Sequence, residues 1–430
     1  MSIILNLCYA AFLLAVSPVI LWRVVLYGKY RSGLRERFFG PAVVMPKKTA
    51  PRLWFQAVSV GEVNLLKPIF RQIAADHPDW ELVVSATSQT GYELAKKTFP
   101  DKTVFRCPLD FSWATNRAMR RIRPDLLVLA ELELWPNLIW SARAFGAKTA
   151  IVNGRISDGS FSRYRKVRFF FKRLFRSVDL TLCGSNESNE RFAALGVSDS
   201  RRVTTGSMKF DGVATDRNNP KTLALAAIAG IGPDDTVFLA GSTQEPEEAL
   251  ALETYRTLAE TYPNLRLILV PRHPQRFDAV AEILNDSALD WVRRSALDGS
   301  KAIQPKARIL LVDTVGELGA WWGTAQIAFV GGSMGSRGGQ NMLEPAGYGA
   351  AVSFGPHTKN FREITEAILR ADAAQVVADG AQLTAFVRRA LDEPAFAERL
   401  GKNAQNLVLA QRGATKKTVD LLAELLHKKD

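Results

Sequence analysis

Short apolar runs rich in β-branched and aromatic residues alternate with helix-length segments through most of this 430-residue chain. That rhythm leaves little besides parallel sheets covered on both faces by helices. Residues 54–58, 82–85, 126–129, 149–152, 180–183 and 203–205 read as buried strands, most of them ending in a polar or glycine turn. The pattern lapses over 211–233, where Asn218-Asn219-Pro220 and Gly230-Ile231-Gly232-Pro233 mark a linker. It restarts with runs at 237–240, 265–270, 309–312, 327–330 and 351–354. Two doubly wound α/β domains in tandem are therefore expected, at 29–212 and 234–430, joined by 213–233 and preceded by an apolar segment, 1–28. With 47% hydrophobic residues each domain can bury a sizeable core, and disorder is excluded.

Charge divides the chain unequally. The formal charge is +13, but residues 1–212 carry 32 basic and 17 acidic side chains, whereas 213–430 carry 24 and 26. A one-sided basic surface faces polyanions: nucleic acid, anionic lipid or a phosphorylated substrate. No nucleic-acid recognition module is visible, and the excess sits beside an apolar N-terminus, so no nucleic-acid partner is expected. From Ser2 to Trp22 there is no charged residue; Arg23, Lys29, Arg31, Arg35 and Arg37 follow. This reads as an uncleaved membrane anchor with the following domains on the cytoplasmic side, although Pro18 leaves a tilted or interfacial helix open. Residues 163–176 alternate arginine and lysine with Val167, Phe170, Phe171 and Leu174. One helix with a greasy and a cationic face is expected there, lying on an anionic membrane surface. Cys8, Cys107 and Cys183 are too few for a disulfide framework or a zinc site, which fits a reducing compartment.

Ligands of doubly wound sheets bind beyond the carboxyl ends of the strands, so the motifs there carry the chemistry. Ala57-Val-Ser-Val-Gly-Glu62 places a carboxylate in the first turn of a helix over 62–75. The helix dipole favours its charged form, so Glu62 either accepts a proton near neutrality or merely supports the helix start. Leu129-Ala-Glu131-Leu-Glu133 brings two carboxylates out of a buried strand; in extended geometry they share a face and either pair with a cation or line a cleft. Lys209, just past a strand end, suits an anion. In the second domain Ala240-Gly-Ser-Thr-Gln-Glu245 precedes a helix and offers free backbone donors. Val270-Pro-Arg272-His273 supplies a guanidinium fork matched to phosphate. Five glycines between Gly331 and Gly339 bring backbone N–H groups close to a phosphate, and Glu344 is spaced to take ribose hydroxyls. Neither a phosphate-binding loop of the Gly-Lys-Ser/Thr type nor the dinucleotide fingerprint occurs, which leaves a nucleotide-type ligand on the second domain.

Taken together these motifs closely resemble the 3-deoxy-D-manno-octulosonic acid (Kdo) transferases. The resemblance covers nearly the whole chain. It runs through Gly33-Leu-Arg-Glu-Arg-Phe38, Val58-Ser-Val-Gly-Glu62, Glu131-Leu-Glu-Leu-Trp-Pro-Asn137, Asn153-Gly-Arg-Ile-Ser157 and Gly206-Ser-Met-Lys-Phe-Asp211. It continues through Ala240-Gly-Ser-Thr243, Pro271-Arg-His-Pro274, Gly316-Glu-Leu318, residues 331–346 and Gly355-Pro-His357 with Asn360-Phe361. The resemblance implies the GT-B architecture, two Rossmann-like domains facing a cleft, with the acceptor on the first and the nucleotide on the second. It implies transfer of Kdo from CMP-Kdo to a lipid A precursor (lipid IVA) at the inner membrane, by inversion. The nucleotide half carries no paired-carboxylate metal motif, so no metal is expected, and CMP-Kdo is a donor substrate rather than a cofactor. By resemblance Glu62 is the base, Glu131 and Lys209 support the transition state, and Pro271, Arg272, Val315, Gly316, Glu317 and Asn341, Met342, Leu343, Glu344 contact CMP. Gln56, Gln244 and Gln340 stand where many relatives have histidine, and Pro246 where glycine is usual. A transferase of UDP-sugars to glycolipids and a non-catalytic, membrane-tethered nucleotide-binding protein are the competing readings.

Overall fold

The computed structural model describes residues 2–27, 33–297 and 307–428. The expected Lys29 and Arg31 of the basic cluster after the apolar segment lie outside the described residues. The chain divides into two compact units, Met1–Gly212 with Arg412–Asp430, and Val213–Gln411. The first is built on β1 (Arg52–Ala57), β2 (Glu81–Ala86), β3 (Thr103–Arg106), β4 (Leu126–Ala130), β5 (Lys148–Gly154), β6 (Leu180–Cys183) and β7 (Arg202–Thr204). They form one parallel sheet in the order β3-β2-β1-β4-β5-β6-β7. The second contains β8 (Thr236–Thr243), β9 (Leu265–Pro271), β10 (Trp291–Arg293), β11 (Ile309–Leu311), β12 (Ile327–Val330), β13 (Ala351–Phe354) and β14 (Ala374–Val376). Its parallel sheet runs β10-β11-β9-β8-β12-β13-β14.

Both doubly wound sheets are as the apolar runs require. The central strands β1, β4, β8 and β12 are buried almost throughout, because helices cover both faces. The strands without a clear sequence signal, β3, β10 and β14, are three or four residues long and lie at sheet edges or beside solvent. An edge strand needs only half the apolar surface of a central one, so its composition merges with that of loops.

The last helix corrects the expected domain boundary. Ala414–His427 does not belong with the second domain; its Ala414, Val419 and Leu422 are buried in the core of the first, with Leu66, Ile69 and Ile73 of the helix Val60–Asp76. Asp211 fastens its start, accepting hydrogen bonds from the N–H groups of Gly413 (2.7 Å) and Thr415 (2.5 Å). The expected linker is also structured in part: Pro220–Ile228 is a helix of the second unit, with Asn219 as its N-cap.

At the N-terminus Ser2–Tyr27 is helical, but no helix among the described residues is long and apolar enough to cross a membrane. The expected spanning anchor is not supported. Asn6 hydrogen-bonds Ser112 (2.7 Å) and accepts from Asn137 (3.1 Å), and Tyr9 donates to the buried Asp110 (3.0 Å). A helix tied to its own domain at residues 6 and 9 cannot also carry those turns to the far side of a bilayer. The single amphipathic helix expected over 163–176 is likewise two helices, Asp158–Lys166 and Arg168–Phe175, broken at Val167. Leu174 and Phe175 are buried, and Phe170 and Phe171 pack on the first core; of the expected greasy stripe only Val167 remains exposed.

If Ala414–His427 completes the first core, Leu422→Ala opens a cavity there at a cost of about 2–5 kcal/mol. Hydrogen exchange of the full chain should then show faster opening of β1 and the helix Val60–Asp76, with the strands of the second unit unchanged. Faster exchange confined to the second unit would return this helix to it.

Candidate active site

In the first sheet the strand order reverses between β1 and β4, and the loops leaving these neighbours diverge to open a crevice. Glu62 follows β1 and Glu131 follows β4 directly. Lys209 comes from the loop after β7 and reaches back, its Nζ 3.7 Å from Glu131 Oε1. The three residues expected to act together are thus brought to one edge of one sheet. Asn153, buried at the end of β5 with φ of 51°, supports the lysine loop by accepting a hydrogen bond from the Met208 N–H (3.4 Å).

Glu62 closes a capping box. Ser59 is the N-cap and accepts from the Glu62 N–H, while the Glu62 carboxylate accepts from the Val58 N–H (2.7 Å) and the Ser59 hydroxyl (2.9 Å). The helix-support role is therefore real. A carboxylate has about four acceptor sites, so two bonds leave capacity for a substrate hydroxyl. Burial of Glu62 pushes its carboxyl above the ordinary range; the Val58 and Ser59 hydrogen bonds oppose this, and the charge of Glu131 adds to it. Its proton affinity is accordingly higher than the helix dipole alone suggests.

Glu131 and Glu133 do not form the extended pair expected of i and i+2. The strand stops at Ala130, and Glu131 turns left-handed at φ of 56°, its N–H donating to Val152 O (2.9 Å). Glu133 instead receives the Trp135 indole N–H at 3.0 Å and is pushed up to about 7 by burial, then by the Glu62 charge. It is a third carboxylate of the same cluster. The doubled acid of Glu131-Leu-Glu133 was the sequence signal, but the resemblance drew attention only to its first member.

The second unit holds the expected nucleotide residues at the carboxyl edge of its sheet, with different duties. Arg272 is exposed just beyond β9, whose last residue, the buried Pro271, pairs with Thr243. Asn341 Nδ2 donates to Glu344 Oε1 (3.1 Å); Glu344 also receives a bond from Trp322, and Arg272 favours its charged form against the burial that raises it. Val315 is 77% exposed, and Gly316, at φ of 94°, has open space where a Cβ would be. Glu317, by contrast, is already engaged by Arg294 (2.9 and 3.1 Å), Thr314 (2.7 Å) and Trp321 (3.3 Å). Met342 and Leu343 are buried, which leaves their backbone for a ligand; the helix they open, Leu343–Gly347, is only five residues long, so its dipole adds little charge stabilisation.

The glycine-rich loop overturns one expectation. Its N–H groups do not wait for a phosphate: those of Gly332 (2.7 Å), Ser333 (2.8 Å) and Met334 (2.9 Å) donate to the carboxylate of Glu247, as does that of Gln244 (2.9 Å). Glu247 is 1% exposed and ties the β12 loop to the helix that follows β8. A Cβ at Gly331 would meet Glu247 Oε2 at 2.7 Å and Thr243 Cα at 2.6 Å, which explains the glycine. In the sequence Glu247 is only one of two acidic residues in the first turn of a helix, 85 residues from Gly332. Gln244 and Gln340 both approach Gly332, whereas Gln56 belongs to a buried chain linking Trp54, Ser85 and Thr87. Among the described residues no group of three or more His, Cys, Asp or Glu side chains is arranged to hold a metal ion.

Because Glu133 has a higher proton affinity folded than at its ordinary value of 4.5, its ionisation penalises the folded state as pH rises toward 7. Below about 4 it is neutral in both states and costs nothing. Glu133→Gln should therefore leave the thermal midpoint unchanged near pH 4 and raise it above pH 7; an equal shift at every pH would contradict this origin.

Residues 32–212 match the family model of the 3-deoxy-D-manno-octulosonic-acid transferases. The chain is 33% identical over 428 residues to the 3-deoxy-D-manno-octulosonic acid transferase of Haemophilus influenzae, covering 98% of each. It is 30% identical to that of Bordetella pertussis, covering 97% of this chain and 99% of the other. Among solved structures, a putative UDP-N-acetylglucosamine 2-epimerase from Listeria monocytogenes shares the fold at 13% identity, with a TM-score of 0.57 over 89% of this chain and 98% of that one. The two parallel-sheet α/β domains are of the GT-B kind, and the chain belongs to the 3-deoxy-D-manno-octulosonic acid transferase family of glycosyltransferases.

Proposed function

We propose that this glycosyltransferase moves Kdo from CMP-Kdo to a sugar hydroxyl of a lipid A precursor, lipid IVA, with inversion at the anomeric carbon. The observation that carries this reading is the Glu62, Glu131, Glu133 and Lys209 cluster at the β1–β4 switch point. Glu62 takes the proton of the acceptor hydroxyl as its oxygen bonds to the anomeric carbon, while the bond from that carbon to the phosphate oxygen breaks and CMP leaves with the electron pair. A raised carboxyl is the better base near neutrality, and such assistance is typically worth about 10²- to 10⁴-fold. Lys209 holds Glu131 and offers its ammonium to charge that develops on the acceptor side. On the donor side Arg272, Asn341 and Glu344 form the polar set offered to CMP, and phosphate leaves without needing a proton.

Glu62→Gln should keep the fold and CMP affinity while transfer, followed by mass spectrometry of lipid IVA after incubation with CMP-Kdo, falls by about 10²-fold or more. Retained turnover would reject Glu62 as the base. Protection against heat by uridine rather than cytidine nucleotides would favour a UDP-sugar donor.

We also propose that the enzyme works at the cytoplasmic face of the inner membrane, seated on the surface rather than through it. Ile3, Leu7 and Leu14 of the first helix lie on one face and are exposed, each by more than 60%, on a unit rich in Arg and Lys. Such a face buries apolar area at the headgroup boundary and gains attraction to anionic lipid. Replacing Leu7 and Leu14 by Glu together should release the chain from sedimenting phosphatidylglycerol vesicles at moderate salt; undiminished sedimentation would exclude this face.

A further inference from the structure

Two helices of the first unit begin without a cap of their own. Phe111, before Ser112–Ile122, and Trp135, before Pro136–Ala144, offer no side-chain oxygen to the N–H groups of the first turn. Such N–H groups are costly to bury unpaired, and here both sets are met from elsewhere in the chain. Asp110 accepts from the Asn137 N–H (3.0 Å) and the Leu138 N–H (2.8 Å), and its backbone oxygen accepts from Asn137 Nδ2 (2.5 Å). Asn6 of the first helix accepts from the Ser112 N–H (3.1 Å) and from Asn137 Nδ2 (3.1 Å), while its own Nδ2 donates to Ser112 Oγ (2.7 Å). Tyr9 lies one turn further along the same face. Its hydroxyl donates to Asp110 Oδ2 (3.0 Å), and its ring stands edge-on to Phe111 with centroids 6.0 Å apart.

This knot sits at the far end of the loop that carries the carboxylates. Glu131, Leu132, Glu133, Leu134 and Trp135 connect β4 to the helix Pro136–Ala144. Inside the loop the hydrogen bonds are short-range: the Leu134 N–H to Leu132 O (2.9 Å), the Trp135 N–H to Glu133 O (3.1 Å), and the Trp135 indole to the Glu133 carboxylate (3.0 Å). Its course therefore depends on how its two ends are held. The near end is fixed by the Glu131 N–H on Val152 O (2.9 Å) and the far end by Asn137 and Leu138 on Asp110. Asp110 is only 4% exposed, and burial pushes its carboxyl up to about 7 against the opposing bonds from Asn137, Leu138 and Tyr9. Tyr9 thus supplies one of three donors that keep a buried carboxylate charged and able to cap.

We infer that the first helix belongs to the framework of the active site: Asn6 and Tyr9 are positioning residues that act through Asp110 and Asn137 to fix the loop bearing Glu131 and Glu133. The inference rests on the proposed role of that carboxylate cluster in transfer. It gives one helix two faces with separate duties, Ile3, Leu7 and Leu14 turned outward and Asn6 and Tyr9 turned onto the domain. Seating the enzyme and aligning its carboxylates become tasks of a single element. Trp135 reports on the loop directly, because its indole N–H donates to Glu133. The chain has nine tryptophans, and the Trp135 indole signal can be assigned in ¹H–¹⁵N spectra through Trp135→Phe.

In detergent micelles, Asn6→Ala combined with Tyr9→Phe should move the Trp135 indole signal and lower kcat for transfer to lipid IVA by about 10- to 10²-fold, the scale of a small misplacement of reacting groups, with KM for CMP-Kdo unchanged. Tyr9→Phe alone removes one oxygen and keeps the ring on Phe111; it should show both effects in smaller measure, and it decides the matter if the pair fails to fold. Leu7→Glu with Leu14→Glu, on the outward face, should leave the Trp135 signal in place. A Trp135 signal unmoved in the folded Asn6 and Tyr9 variants would overturn the inference, as would an unchanged kcat or an equal displacement by the outward-face pair. A loss of kcat matched by an equal loss of CMP-Kdo affinity would also overturn it. A wild-type chain that transfers nothing to lipid IVA would instead reject the proposed reaction, and the Trp135 signal would still decide whether the helix holds the loop.

Discussion

Parallel pairing of β1 with β2 on one side and β4 on the other is the constraint from which the catalytic edge follows. Helices must cross on opposite faces to satisfy both pairings, so the loops leaving β1 and β4 separate and cannot fill the space between them. The helix that starts at the β1 loop needs an N-cap, and Ser59 with Glu62 supplies it. One carboxylate thereby becomes part of the fold and part of the crevice at once. The same architecture recurs at β8 and β12, where Glu247 gathers four N–H groups and spans the divergence. The first switch point is left open to solvent chemistry; the second is closed beneath its glycine loop by the protein's own anion.

Charge inside these edges is costly, and the two units meet the cost differently. Glu247 is fully buried and fully hydrogen-bonded, so it serves as a fixed strut. Glu62 is buried and Glu133 half-buried, and both share their surroundings with like charge and few donors, so their proton affinity rises. Lys209 offsets part of that repulsion through Glu131 from a half-exposed position at 3.7 Å, a contact that screening keeps modest. A cluster so arranged is poorly optimised for stability, which is the usual state of a site whose carboxylates must exchange protons.

Much of this was legible in the residues. The central strands announced themselves because both faces of a parallel sheet demand apolar side chains, and Glu62, Glu131 and Lys209 stood at their ends. The edge strands β3, β10 and β14 did not, since their demands resemble those of a loop. Glu247 was also illegible, because a carboxylate 85 residues from Gly332 meets that loop only through the sheet. The apolar N-terminus misled for a related reason. Its composition suits a bilayer, but Asn6 and Tyr9 find Ser112, Asn137 and Asp110 more than 100 residues away, and those bonds hold it on its own domain.

The sequence by itself determined two parallel α/β units, the family, and the identity of the groups at the strand ends, because periodicity and local turns are encoded within a few residues. Tertiary structure alone decided that Ala414–His427 belongs to the first unit and that the glycine loop's N–H groups serve Glu247. It also decided that Glu133 joins Glu62. Each of those outcomes is a contact between segments far apart in the chain. Its energy depends on burial and on which donors remain unused, and neither is a property of any short stretch of sequence.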